Sequence, residues 1–417
     1  MSGLQTSSGG RGRKWLSAAV AAASVILTAA ATAQAEPYMA LREGFTCGDC
    51  HTNKTGGGMR NVTAEMHAAQ ILRLPNDGKG ILPAHESWFS PNINDYFSVG
   101  ADFRLTETLT FQKDDNNGHV ENNTAFRPLD RNDFDLAQGT IYAHLRLIPE
   151  ILSLYVDERV APGGASNNEG FALLEKILPW DTYIKAGRFF PGFGLRFEDD
   201  FAFVNSATGF NFSRTLNGVE IGRSALGWNW NLSASEGGNK FNFVALINGM
   251  YMWDKFGPFN GALLGASFVR AESTFKPAAR LPEDPRPDTL HLDSYTYALY
   301  GGFSIGDLTV ALQGSLIDSE EAVTDTRPSF VDDNDAWIAY VEANYLLFDW
   351  LNVKGAFDWH DPNNSDGADV RNRVSIGLEP FLDRFLQLRL FYRVYNGPED
   401  EPQTNQDTLT LEGHLFF

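Results

Sequence analysis

The 417-residue sequence predicts an all-β fold, a transmembrane antiparallel β-barrel of about 16 strands, and three observations lead there. From about Asp95 to the end, segments of about ten residues alternate apolar and polar side chains between turn-forming clusters. After residue 35 no apolar run approaches the roughly 18 residues of a membrane helix, so any spanning must be done by strands. The connections alternate short and long, as periplasmic turns and extracellular loops do in outer-membrane barrels.

The alternation is clear along several segments. Trp228-Asn229-Trp230-Asn231-Leu232-Ser233-Ala234-Ser235 alternates throughout. Leu351, Val353, Gly355, Phe357 and Trp359 face one way, and Asn352, Lys354, Ala356, Asp358 and His360 the other. Val374, Ile376 and Leu378 oppose Arg371, Arg373 and Glu379, and Leu386, Leu388, Leu390, Tyr392 and Val394 oppose Gln387, Arg389 and Arg393. One face suits lipid and the other water. The segments fall near 96–112, 134–148, 151–160, 171–178, 181–190, 216–226, 228–236, 240–251, 261–271, 294–304, 307–318, 335–347, 350–360, 370–380, 384–395 and 407–417. Segment 171–178 also reads as a helical turn.

Connections at Pro149-Glu150, Pro179-Trp180, Gly227, Gly306, Asp349 and Leu382-Asp383 are tight, whereas 113–133, 191–215, 272–293, 319–334 and 396–406 are long. An even strand number returns the chain to its starting side, and the last segment ends on Phe417, like a barrel-assembly signal. Trp180, Trp228, Trp230, Trp253 and Trp350 sit at or beside the short turns, as an interfacial girdle requires.

Arg11, Arg13 and Lys14 precede an apolar run from Trp15 to Ala31, and Ala33-Gln34-Ala35 supplies a small-residue cleavage pattern, so residues 1–35 read as a secretory signal peptide. Removing its three basic residues takes the formal charge from −20 to −23. Phosphates would be repelled, which excludes nucleic acid as a partner.

Both cysteines of the chain fall in Cys47-Gly48-Asp49-Cys50-His51, the C-x-x-C-H pattern of c-type haem attachment. Two thiols three positions apart add to the two vinyl groups of one porphyrin edge, and the adjacent imidazole reaches the iron. Random placement of two Cys and eight His would produce it on the order of once in 10⁴. A zinc site wants about four ligands, and no second cysteine pair exists. One haem c is expected, held by Cys47 and Cys50, with His51 proximal. Met59, in the turn Gly56-Gly57-Gly58-Met59-Arg60, is the first candidate for the sixth position and His67 the second, ahead of Met66, Met39 and His85.

Residues 36–90 are too few to bury a haem alone, so the haem segment plugs the lumen or its periplasmic mouth and borrows walls from the barrel, residues 91–417. The long loops are acidic, with Asp318, Glu320, Glu321, Asp325, Asp332, Asp333 and Asp335 against Arg327, and Glu399, Asp400, Glu401 and Asp407 in another. Such a rim concentrates cations, and binding of the divalent ions that bridge lipopolysaccharide is the plain reading of it.

In its order of signal peptide, one C-x-x-C-H at residues 47–51 and a porin-like barrel ending at Phe417, the chain resembles the fused monohaem cytochrome–porins of bacterial outer membranes, which include iron-oxidising cytochromes. Porin-like stretches such as Tyr183-Ile184-Lys185-Ala186-Gly187-Arg188-Phe189 add to the likeness. The resemblance implies electron passage between an extracellular donor or acceptor, with iron(II) one candidate, and periplasmic c-type cytochromes. The alternative is a substrate-selective transport porin with a structural N-terminal plug. Its lumen residues Lys185, Arg188, Arg371, Arg373, Arg389 and Arg393 would then select anionic solutes. A haem enzyme would need an open coordination site with a polar distal pocket, for which no residues stand out.

Overall fold

The computed structural model describes residues 36–64, 91–112, 129–199, 201–211, 214–236, 243–275, 290–322, 331–364, 367–398 and 404–417. The expected signal peptide and residues 65–90, with Met66, His67 and His85, lie outside them.

Sixteen long strands form the barrel: β1 (Phe97–Gln112), β2 (Leu129–Ile148), β3 (Leu152–Ala161), β4 (Ser166–Leu174), β5 (Thr182–Phe189), β6 (Leu216–Ala225), β7 (Trp228–Glu236), β8 (Phe243–Trp253), β9 (Gly261–Phe275), β10 (Leu290–Ile305), β11 (Leu308–Ala322), β12 (Val331–Phe348), β13 (Leu351–Asp361), β14 (Arg371–Asp383), β15 (Leu386–Asn396) and β16 (Gln406–Phe416). Each pairs antiparallel with the next. The ladder between β16 and β1, from Gln406↔Gln112 to Phe416↔Asp102, closes the sheet. Closure removes the free edges that a bilayer would not tolerate. A three-residue arm, Asn92–Asn94, adds one short pairing to the start of β1.

The pleat is inside out relative to a soluble sandwich. Along β13, Asn352, Lys354, Ala356 and Asp358 are buried in the lumen while Phe357 is exposed, and Leu232, Ile247, Leu299, Ile376 and Leu411 likewise face outward. This outer band is what the hydrocarbon layer demands. Tight turns suit the right-handed twist of the strands: Leu226 and Gly227 both have positive φ, 55° and 78°, as a two-residue type I′ hairpin requires.

Each predicted segment holds a strand, with two kinds of difference. Segment 171–178 is strand only to Leu174, begins at Ser166, and passes through a 3₁₀ turn, Pro179–Asp181, into β5. Hairpins also run further than predicted into the long connections, where Asp318↔Asp335, Glu320↔Asp333 and Glu321↔Asp332 are cross-strand neighbours. Beyond the membrane both faces meet water, so the period-2 signal disappears from the sequence while the ladder continues.

The lumen is packed by two inserts. One is the plug, residues 36–64, with helices α1 (Pro37–Glu43) and α2 (Cys47–Cys50). The other is the connection after β5, predicted as an extracellular loop, which folds inward and carries α3 (Phe203–Ser206). Its Phe193, Leu195, Phe197 and Val204 join Val244, Leu246, Met250, Leu263, Val269 and Tyr340 of the wall, and Leu41 of the plug, in one apolar core. On the other side the wall is charged, and there Glu198 and Asp199 of the loop meet Arg104, Arg373, Arg389 and Arg393.

Candidate functional site

The C-x-x-C-H segment starts as a single helical turn. Asp49 accepts from both the N–H and the hydroxyl of Thr46, at 2.7 Å each, which fixes the turn's N-terminus. The Thr46 hydroxyl also lies 3.1 Å from Ser224 Oγ on β6, so the turn is fastened to the wall. After His51 the chain reverses through Gly56, Gly57 and Gly58, all at positive φ (91°, 78° and 63°), a run that glycine alone adopts without strain. The return arm pairs with the motif: Thr52 N–H donates to Met59 O at 3.0 Å and Asn61 N–H to Cys50 O at 2.9 Å. Asn61 Nδ2 donates to Asp49 O at 3.0 Å, tying the turn to that arm.

This hairpin presents Cys47, Cys50 and His51 to one cavity that is partly open to solvent. Its apolar lining comes from the plug (Met39, Leu41, Phe45), the inward loop (Phe193, Leu195) and the wall (Met250, Met252, Leu263, Phe381, Phe416). Its polar lining includes Glu36, Arg60, Arg196, Asn248, Gln387 and His414.

Both thiols are free and half-buried. Burial pushes the Cys50 thiol up to about 12 and raises Cys47 as well, so at neutral pH both are thiols. His51 is fully buried, and burial pushes it down to about 4, leaving a neutral imidazole. Its Nδ1 lies 3.2 Å from Gly58 O, an acceptor that assigns the proton to Nδ1 and leaves Nε2 as a lone pair. Nε2 is buried without a hydrogen-bond partner, which is costly for a polar atom unless something ligates it. Two free thiols one helical turn apart, a bare imidazole nitrogen and a mainly apolar cavity together fit a c-type haem.

Of the other predicted ligands, Met59 is buried in a cluster with Tyr142, Tyr155, Phe171, Leu173, Tyr183 and Phe189, and does not line the cavity. Met39 does line it. Met250, Met252 and His414 line it too, a set brought together by barrel closure and not by any spacing in the chain.

The plug is seated by charge. Lys354 Nζ donates to Glu36 Oε2 at 2.5 Å and Arg389 Nη2 to Glu36 Oε1 at 2.6 Å. Burial opposes ionisation of Glu36, but Lys354 and Arg389 hold its carboxyl well below the usual range. Asn53 Nδ2 donates to Glu169 Oε1 at 2.8 Å, and its Oδ1 accepts from Lys185 Nζ at 3.0 Å. The two inserts are joined by Arg196, which donates to Gly56 O at 2.5 Å, and by Arg389, shared between Glu36 and Glu198. Asp199 likewise lies well below the usual range, since Arg373 and Arg393 outweigh its burial.

Four of the six basic residues assigned to the lumen are engaged by acids. Lys185 pairs with Glu220 at 2.8 Å, Arg373 with Asp358 and Asp199, Arg389 with Glu36, Glu198 and Glu412, and Arg393 with Asp199. Arg188 is not a lumen residue: standing an odd number of residues from buried Lys185 along β5, it is exposed on the opposite face of the strand and donates to Thr215 Oγ1. Arg371 donates to Asp369 O at 3.4 Å.

No protein-family model and no curated protein matches the chain. Solved structures do match in fold. OmpT of Vibrio cholerae, folded in vitro, superposes with a TM-score of 0.53 at 11% identity over 78% of this chain and 99% of its own. An anion-selective porin from Comamonas acidovorans gives 0.51 at 11% identity over 77% and 100%. The outer-membrane channel DcaP of Acinetobacter baumannii gives 0.50 at 12% identity over 77% and 98%. The chain is a closed 16-strand barrel of the outer-membrane porin type.

Proposed function

We propose that this outer-membrane barrel carries one covalently bound c-type haem in its plugged lumen and passes electrons between an extracellular redox partner, iron(II) among the candidates, and periplasmic c-type cytochromes. The observation that carries the reading is that His51, whose Nε2 is buried without a hydrogen-bond partner, lines the same cavity as Cys47 and Cys50. Cys47 and Cys50 hold the porphyrin edge, and His51 ligates the iron. Bound there, haem supplies one-electron chemistry between Fe(III) and Fe(II). The protein's part is to orient the imidazole, exclude water with an apolar cavity and so set the potential. The sixth ligand comes from the cavity wall or from His67, and Met59→Ala leaves the sixth-ligand bands of the spectrum unchanged.

A second reading is favoured by the neighbours, since the similar solved structures are porins and channels. In that reading the plug is structural and the barrel transports a solute. The seated plug and inward loop weigh against free passage, because lumen residues such as Lys185, Asp358, Arg373, Glu379 and Gln387 are buried to within 1%. Spectra of the purified protein, oxidised and dithionite-reduced, together with planar-bilayer conductance, separate the two. Haem that survives acid–acetone extraction, with a reversible redox change and closed bilayers, supports the conduit. Absence of covalent haem in cells with working cytochrome maturation, with steady conductance, leaves the transport porin.

A further inference from the structure

The Gly58–Met59 peptide touches the barrel and the haem hairpin at once. Its carbonyl, Gly58 O, lies 3.2 Å from His51 Nδ1, and its N–H, on Met59, donates to the Tyr155 hydroxyl oxygen on β3 at 3.0 Å. The approach is close enough that a Cβ at Gly58 would lie 2.4 Å from Tyr155 Oη, so residue 58 must be glycine for this contact to exist. Tyr155 is 1% exposed and held by Phe171, whose ring centroid is 5.0 Å away.

A peptide whose N–H is donated has a more negative carbonyl oxygen, because hydrogen bonds in series polarise one another. A stronger acceptor at Nδ1 makes the imidazole a more basic ligand. We propose that Tyr155 is a positioning residue through which the barrel wall tunes the iron ligand, by a relay from the Tyr155 hydroxyl through the Gly58–Met59 peptide to His51 Nδ1. A more basic imidazole favours Fe(III), so the relay lowers the haem potential. This rests on the haem reading above.

The test is a redox titration of the detergent-purified holoprotein. Tyr155→Phe keeps the ring and removes the acceptor; 3,5-difluorotyrosine at 155 keeps the shape and weakens the acceptor. Phe171→Leu disturbs the same aromatic packing and leaves the hydroxyl in place. The expected result is a two- to tenfold shift of the redox equilibrium toward Fe(II) in Tyr155→Phe, tenfold being about 59 mV for one electron. The difluorotyrosine protein shifts part of the way in the same direction, and Phe171→Leu stays at the wild-type value. An unchanged potential in both 155 variants, or an equal shift in Phe171→Leu, overturns the relay. Wild-type protein without covalent haem overturns the haem reading instead, which keeps the two failures apart.

Discussion

The plug and the inward loop occupy the same lumen and both bury apolar side chains, Leu41 and Met59 of the plug among them, but the plug adds paired buried charge at its start where the loop adds apolar area along its length. Glu36 sits between Lys354 and Arg389, and Asn53 between Glu169 and Lys185. The loop instead spreads Phe193, Leu195, Phe197 and Val204 over the apolar half of the wall, and uses Glu198 and Asp199 only where it reaches the basic half. A seat made by charge depends on its partner atoms and on pH, whereas an apolar seat depends on volume.

The largest expected effect is on the cofactor itself. Cys47→Ser with Cys50→Ser abolishes haem that stays with the chain on a denaturing gel, while the folded barrel keeps its heat-modifiable migration. Next, Phe197→Ala removes a fully buried ring packed 4.3 Å from Tyr340 and weakens the loop's seat by about 3–5 kcal/mol. Hydrogen exchange should rise over 190–211 and stay unchanged over 36–43. Lys354→Met is the converse: it leaves Glu36 buried with one cation fewer, and loosens the plug by about 3 kcal/mol without touching residues 193–197. Equal loosening of both inserts in either variant would break the distinction between them.

Acidity sharpens it further in the haem-free serine variant. His51 is pushed down to about 4 in the folded protein from an ordinary value of 6.5, so the unfolded plug binds the proton first. Stability of the seated plug is therefore complete above pH 6.5 and falls toward pH 4, by at most about 1.4 kcal/mol per unit. Exchange rates over 36–64 across that range report it, and haem-loaded protein, its Nε2 ligated, should lack the slope. Glu36 contributes in the same sense only below the ordinary carboxylate range, because its folded value is depressed. The smallest effect lies far from both inserts, where Asp318→Asn relieves a like-charge cross-strand pair with Asp335 and stabilises that hairpin by about 0.2–1 kcal/mol, visible as slower local exchange.

Some of this was already legible in the residue order. Alternation along 228–235 and 350–360 marks strands because the side-chain period of a strand is two, whatever surrounds it. Cys47, Cys50 and His51 are legible because their chemistry needs them adjacent. Tertiary contact alone decided the rest. Residues 191–215 look like any long loop, and nothing local says that Phe193 and Phe197 will turn inward. They do so because closing sixteen strands leaves a lumen half lined by Val244, Leu246, Leu263 and Val269, which only an apolar insert can cover. Met59 stands eight residues from His51 and looks like a ligand, but Tyr155 holds its N–H and its side chain lies among wall aromatics. Strand identity and the C-x-x-C-H motif are local properties of period and adjacency. What lines the cavity beside that motif, and what holds its return arm, depends on residues such as Met250 and Tyr155 that are far away in the chain and meet the plug only when the barrel closes.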